Sequence, residues 1–192
     1  MKQNGTARMA ADDTCKRTRT MPDRDQGFTL IELLVTLAVL AITLTIAVPT
    51  FSTTLDSIRQ RTQVNQLLAD LNFARGRAIT TRRPVSICAG ESKCDGLKKW
   101  SGQVIIFDDR DGNGTLNEGD VPLRITSIAA SHTWNWRNFR KQRHMTYKPD
   151  GTTHSLNGTF VLCRQNVKLK KVVINVTGRA RLDAPTADDH CT

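Results

Sequence analysis

The sequence predicts an α+β protein in which one long N-terminal helix precedes an antiparallel β-rich head. Three observations lead there. The stretch from Gly27 to Thr50, "GFTLIELLVTLAVLAITLTIAVPT", is apolar for about the length a membrane-crossing helix needs. From Thr50 to about Thr81 the apolar residues recur at helical spacing: Phe51, Leu55, Ile58, Val64, Leu67, Leu68, Leu71, Ala74 and Ala78. Beyond Pro84 the pattern changes to short β-branched runs bounded by Gly, Asp or Asn. Helix first and strands afterwards is the order of an α+β fold.

The first segment, residues 28–48, reads as a transmembrane helix. Before it, Lys2, Arg8, Lys16, Arg17, Arg19 and Arg24 outnumber four aspartates, which keeps the N-terminus cytoplasmic and sends the bulk of the chain across. No good small-residue cleavage site follows the apolar run, so the helix is expected to stay with the protein. Glu32 is anomalous, since a carboxylate inside such a segment is expensive unless it serves a function. Residues 49–83 read as an amphipathic continuation whose apolar stripe docks on a sheet. Pro49 lacks an amide proton and is expected to kink or loosen the helix, and Pro84 stops it. Residues 84–192 form the head. Its strands are expected at "VSICA", "GQVIIFDD", "VPLRITSI", "GTFVLCR" and "KKVVINVTGRARL".

The chain has 192 residues and a net charge of +10, which suggests an anionic partner. Its five cysteines, Cys15, Cys88, Cys94, Cys163 and Cys191, include no CxxC pair. The four beyond Gly27 suit two disulfides in an oxidising compartment. Three pairings are possible, and proximity selects Cys88 with Cys94 and Cys163 with Cys191. No cofactor site is evident. The histidines at 132, 144, 154 and 190 lack metal-ligand spacing, and no triad or Gly-rich phosphate loop occurs, so an enzyme is not expected.

"GFTLIELLVTLAVLAI" resembles the leader junction of type IV pilins and pseudopilins. The resemblance implies that residues 1–27 are a leader removed by a prepilin peptidase after Gly27. It also implies that Phe28 becomes an N-methylated first residue, that Glu32 is the fifth mature residue, and that Pro49 falls in register. In that family the glutamate pairs with the free amine of a neighbouring subunit's first residue, which satisfies the buried charge only where a filament grows. "WSGQVIIFDDRDGNG", "YKPDGT", "GTFVLCR" and "VTGRARL" narrow the resemblance to the GspH/FimT branch of minor pseudopilins. This implies partners among other pilins through the N-terminal helix, an inner-membrane anchor and a periplasmic head.

Three polar constellations remain. "DDRDGNGTLNEGD" fits a calcium loop: Asp109, Asp111, Asn113, Thr115 by its carbonyl, Asn117 and Asp120 take ligand positions, with Gly114 at the sharp turn. Its last position is Asp rather than Glu and its flanks read as strands, so any calcium would be structural. A plain polar turn is the alternative. "GRARL" places Arg179 and Arg181 on one face of a strand, roughly 6.7 Å apart, after a permissive Gly178. Two guanidiniums so arranged suit successive phosphates, with Lys168, Lys170 and Lys171 nearby. In FimT-like members a GRxR motif is associated with binding incoming DNA, which implies double-stranded DNA as a partner and a role in natural transformation. "HTWNWRNFRKQRHMTY" is a second basic stretch. There Trp134, Trp136 and Phe139 could stack on bases while Arg137, Arg140, Lys141 and Arg143 meet phosphates, or the tryptophans could be core. The alternative function is a structural H-type pseudopilin of a type II secretion system with no DNA role.

Overall fold

The computed structural model describes residues 27–153 and 155–191. Cys15, His154 and all of the expected leader except Gly27 lie outside the described residues. These residues fall into two compact units, divided between Ala47 and Val48.

Helix α1 spans Leu30–Thr81. Its start is capped by Thr29, whose hydroxyl accepts the Glu32 amide at 3.3 Å. Glu32 therefore sits in the first turn, where a negative charge also suits the helix dipole. The N-terminal unit exposes its apolar side chains from Phe28 onward. The helix is long and apolar enough to cross a membrane, with a mean hydropathy of 2.5 over its best window. Pro49 lies inside the helix without ending it as an element. The helix ends at Thr81 because Arg82 turns left-handed (φ 55°) and Pro84 follows.

In the unit from Val48 onward the buried helix positions are Val64, Leu67, Asp70, Leu71, Ala74 and Ala78. The apolar stripe read from the sequence is thus buried only from Val64. Phe51 and Ile58 are 66% and 53% exposed. The buried part packs on two antiparallel sheets. The strands are β1 (Val85–Ala89), β2 (Lys99–Trp100), β3 (Gln103–Asp108), β4 (Val121–Ser127), β5 (Thr133–Asn138), β6 (Met145–Tyr147), β7 (Gly158–Arg164), β8 (Val167–Ile174) and β9 (Ala180–Asp183). One sheet runs β4-β3-β1-β6 and the other β2-β5-β7-β8-β9. Helix and both sheets share one core, in which Leu71, Ile87, Ile106, Phe160 and Val172 are fully buried. Each such side chain stabilises the fold by roughly 1.5–3 kcal/mol.

β1 is buried along its whole length, and β7 from Phe160 to Cys163, instead of alternating. The reason is that both of their faces are covered. Ile87, Phe160 and Leu162 face the central core. Cys88 packs outward with Ile105 and Phe107, against Cys94 and Leu116. Val161 and Cys163 pack outward against Cys191. Disulfides join Cys88 to Cys94 and Cys163 to Cys191.

The structure corrects the strand expected at "KKVVINVTGRARL". It breaks at Asn175, and β8 and β9 are two arms of a hairpin. β2, β5 and β6 are further strands that the β-branched runs do not mark. Trp134 and Trp136 lie on β5 and are core residues. Trp136 stacks on Phe160 at 4.1 Å between ring centres, with Trp100 edge-on at 4.8 Å and Trp134 at 6.3 Å. Base stacking by Trp134 and Trp136 is thereby excluded in this fold.

Candidate nucleic-acid interface and Asp-rich turn

The hairpin between β8 and β9 carries the Gly178–Arg181 motif. Asn175 organises it: its side-chain oxygen accepts the Arg179 amide at 2.9 Å and the Thr177 hydroxyl at 2.8 Å. Gly178 adopts φ +78°, and a Cβ there would run into the carbonyl oxygen of Gly151 and crowd the Tyr147 ring. Only glycine fits this site without strain. Arg75 of α1 locks the turn from beneath, donating to Gly151 O at 2.9 Å and to Thr177 O at 3.1 Å. Arg179 is exposed, and its guanidinium has no partner among the described residues. It stands just before β9, and its carbonyl accepts the Asn175 amide at 3.1 Å, so the hairpin pairing continues through it. Arg181 on β9 is 75% exposed and lies 3.7 Å from Asp183.

Two of the three lysines expected to support this motif are otherwise engaged. The C-terminal segment after β9 crosses the outer face of the five-stranded sheet. Lys168 donates to Thr186 O at 2.8 Å and to Ala187 O at 3.3 Å. Lys171 is buried and forms an ion pair of 3.1 Å with Asp189, both side chains about 10% exposed. Burial alone would raise the Asp189 carboxyl. Hydrogen bonds from Thr186 and the Lys171 ammonium outweigh it and hold the group below the usual aspartate value. Arg137 reaches the same segment from β5, donating to Asp188 O at 2.8 Å, and Asn135 donates to His190 O. Lys168 and Lys171 are therefore fastenings of the C-terminal segment. Lys170 alone of the three lysines has no partner among the described residues.

The connection between β5 and β6 is the second basic region. Two buried indoles hold it: Trp136 Nε1 donates to His144 O at 2.9 Å and Trp100 Nε1 to Arg143 O at 3.1 Å. Asn138 closes the loop by exchanging bonds with Gln142 at 2.7 and 3.0 Å. Arg143 donates to Gly96 O at 2.7 Å. Lys141 takes the left-handed conformation (φ 59°) at the tip. Phe139, Arg140 and Lys141 are left exposed, Phe139 at 80%. The aromatics of this stretch thus divide their work: the indoles position the loop, and Phe139 is the ring offered to solvent.

The Asp-rich turn joins β3 to β4 and faces this loop. The carboxylates of Asp109, Asp111 and Asp120 gather within 4.8 Å of one another. Asp109 is buried and accepts Ser86 Oγ, Asn113 N and Gly114 N. Its carboxyl is pushed up chiefly by burial, against those hydrogen bonds. Asp120 accepts the amides of Arg110 and Asn117. Asp111 is pulled down by the Asn117 side-chain amide. Asn113 bonds Asp111 and, through its own oxygen, the Thr115 amide. The carboxylates suit a hard cation such as calcium, but the turn also holds together through its own amides. Gly114 is needed here twice over, for φ +75° and because the His144 ring lies where a Cβ would be. His144 is driven toward its neutral form by burial, with Asp109 opposing.

Between the Asp-rich turn and the β5–β6 connection lies a hollow of about 350 Å³, lined among others by Asn113, Arg140, Gln142, His144 and Lys148. A second, of about 240 Å³, adjoins Lys141 and Arg143. Sequence reading missed Gln142, His144 and Lys148. They meet Asn113 only through the fold, and no spacing signals that.

Two family models match the chain. One, described as "Type II transport protein GspH", covers residues 63–178. The other, the prokaryotic N-terminal methylation motif, covers residues 22–48. No curated protein matches. Two crystal structures of the type IV minor pilin FimU of Pseudomonas aeruginosa, strain PAO1, are similar in structure. One is 24% identical over 68% of this chain and 95% of that chain, with a TM-score of 0.49. The other is 25% identical over 68% and 90%, with a TM-score of 0.48.

Proposed function

The chain belongs to the GspH family, a minor pilin or pseudopilin of a type IV filament or type II secretion machine, and we propose that its head binds DNA without sequence preference. Its methylation motif and apolar helix mark it as membrane-anchored and as a partner of other pilins through that helix. In this reading prepilin peptidase cuts after Gly27, Phe28 is methylated, and Glu32 meets the new amine of a neighbouring subunit. The head then stands in the periplasm or on the filament.

The observation supporting DNA contact is the Gly178 hairpin. A turn that admits only glycine, clamped by Arg75, displays Arg179 without a carboxylate partner, and Arg181 follows with its side chain 75% exposed. Backbone contacts of this kind are electrostatic and release counterions, so binding should fall steeply with salt. The test is duplex DNA binding by the full chain in detergent across a salt series, beside Arg179→Ala/Arg181→Ala. The expected result is salt-sensitive binding whose log–log salt slope falls by about 2 in the variant, one for each phosphate that the missing guanidiniums would neutralise. Absence of binding at low salt would sink the reading.

A structural pseudopilin of a type II secretion system is the second reading. It is favoured by the C-terminal segment, which occupies Lys168 and Lys171, and by Asp183 beside Arg181. It requires no DNA affinity at all.

A further inference from the structure

The 350 Å³ hollow beside the Asp-rich turn has the properties of a binding site that the Gly178 motif does not account for. No carboxylate lines it. Arg140 and Lys148 face it from two different segments, and neither side chain has a hydrogen bond or salt bridge among the described residues. The acids around it make other bonds, Asp111 among them, which accepts the Asn113 and Asn117 side-chain amides. Asp150, which feels the Lys148 charge, accepts the Thr152 amide and hydroxyl. Asp109 lies behind His144 and is satisfied by Ser86, Asn113 and Gly114.

The hollow is also built in advance. The segment carrying Arg140 is fastened at Arg143 and His144 by indoles of the core, at Asn138 by Gln142, and at Phe139, whose backbone N–H donates a hydrogen bond to Asn157 O. Lys148 opens a tight turn closed by Gly151 N on Lys148 O at 2.8 Å. Pro84 and Leu156 add apolar surface to the lining, and Gln142 adds an amide. A volume of this size is at the small end of ligand pockets. It has room for one nucleotide-sized group but not for a duplex.

We propose that this hollow is a phosphate site: Arg140 and Lys148 hold one phosphate of a nucleotide, and the apolar wall takes the group it carries. Such a phosphate can come from a free nucleotide or from an unpaired stretch of a DNA strand. The second source rests on the DNA-binding reading above, and the first does not. Two cations on separate segments with fixed backbones can grip an anion without the cost of ordering a loop, so that only the two side chains must be immobilised.

The test uses the full chain in detergent with three probes: inorganic pyrophosphate, thymidine 5′-phosphate and a short single-stranded oligonucleotide. Arg140→Ala/Lys148→Ala is compared with Arg179→Ala/Arg181→Ala, and folding is checked by thermal melting. The expected result is that the Arg140/Lys148 variant loses thymidine 5′-phosphate affinity by about tenfold or more, since each contact is a charge-assisted hydrogen bond. The Arg179/Arg181 variant should keep it. Arg140→Lys should recover part of the loss, because charge without the planar fork serves a single phosphate. Phosphate binding lost in the Arg140/Lys148 variant, without oligonucleotide binding, would support the hollow as a free-nucleotide site and exclude an unpaired strand as its source. Oligonucleotide binding indifferent to Arg140 and Lys148, with neither small probe bound, would overturn the hollow and leave the DNA reading in place.

Discussion

Five cations lie between Lys168 and Arg181, and five between Arg137 and Lys148. In the first region Lys171 pairs with Asp189, Arg181 approaches Asp183, and Lys168 is spent on backbone carbonyls of the C-terminal segment. In the second no cation forms a salt bridge among the described residues. Arg137 and Arg143 donate to carbonyls, while Arg140, Lys141 and Lys148 have no side-chain hydrogen bond there. Lys170 and Arg179 in the first region and Arg140, Lys141 and Lys148 in the second are thus left without a side-chain partner among the described residues, and only the first region spends cations on carboxylates. A basic run tells how much charge is present, but the carboxylates that the fold brings alongside decide how much a ligand can use.

The largest expected effect comes from releasing the C-terminal segment. Cys163→Ser/Cys191→Ser opens a crosslink with a sequence separation of 28. Loop-closure entropy puts the loss at roughly 3–4 kcal/mol, read by urea unfolding. If the segment masks the sheet face, the folded fraction of the variant should bind DNA more tightly at low salt, because Lys168 and Arg137 are freed. Unchanged affinity in a folded, destabilised variant would break the comparison.

Next comes the Lys171–Asp189 pair. Asp189→Ala strands a buried ammonium and should cost about 3 kcal/mol, whereas Arg140→Ala should stay within about 0.5 kcal/mol. The pair also gives a pH signature. The Asp189 carboxyl is held below its unfolded value, so its share of stability is present above the unfolded pKa. That share is lost as pH falls through the folded pKa. Stability curves of the parent and Asp189→Ala measured on descending from neutral pH should therefore converge in the acid range. Parallel curves would exclude a stabilising role for this pair.

The smallest effect concerns the turn facing the hollow. Calcium seated among Asp109, Asp111 and Asp120 would stabilise the head by about 1.4 kcal/mol at ten times its dissociation constant. It would also add positive charge beside the phosphate site. Thermal melts with calcium or with chelator, read alongside thymidine 5′-phosphate affinity, check both. Identical melts would leave the turn as a set of hydrogen bonds alone. The calcium response should weaken at acid pH, because burial raises the Asp109 carboxyl and the ion must displace its proton.

Much of the architecture was legible because it is local. Apolar spacing marked α1 from Val64 to Ala78, β-branched runs marked β1, β3, β4 and β7, and nearness in the chain paired the cysteines. β5 was hidden because its tryptophans sit among arginines, a composition that also suits a stacking surface. The β8–β9 break was hidden because "INVTGRA" has strand-like residues up to the glycine. What turns the chain there is Asn175, together with Arg75 reaching over from the helix.

The sequence by itself determined the helix, the head, the family and the places where positive charge accumulates. Each of these depends on residues near one another in the chain. Only the tertiary structure decided which cations are used up and which remain. That choice depends on Asp189 meeting Lys171, and on indoles from β2 and β5 fixing the loop that carries Arg140. Such contacts are set by packing across the sheets, and a one-dimensional pattern does not encode them.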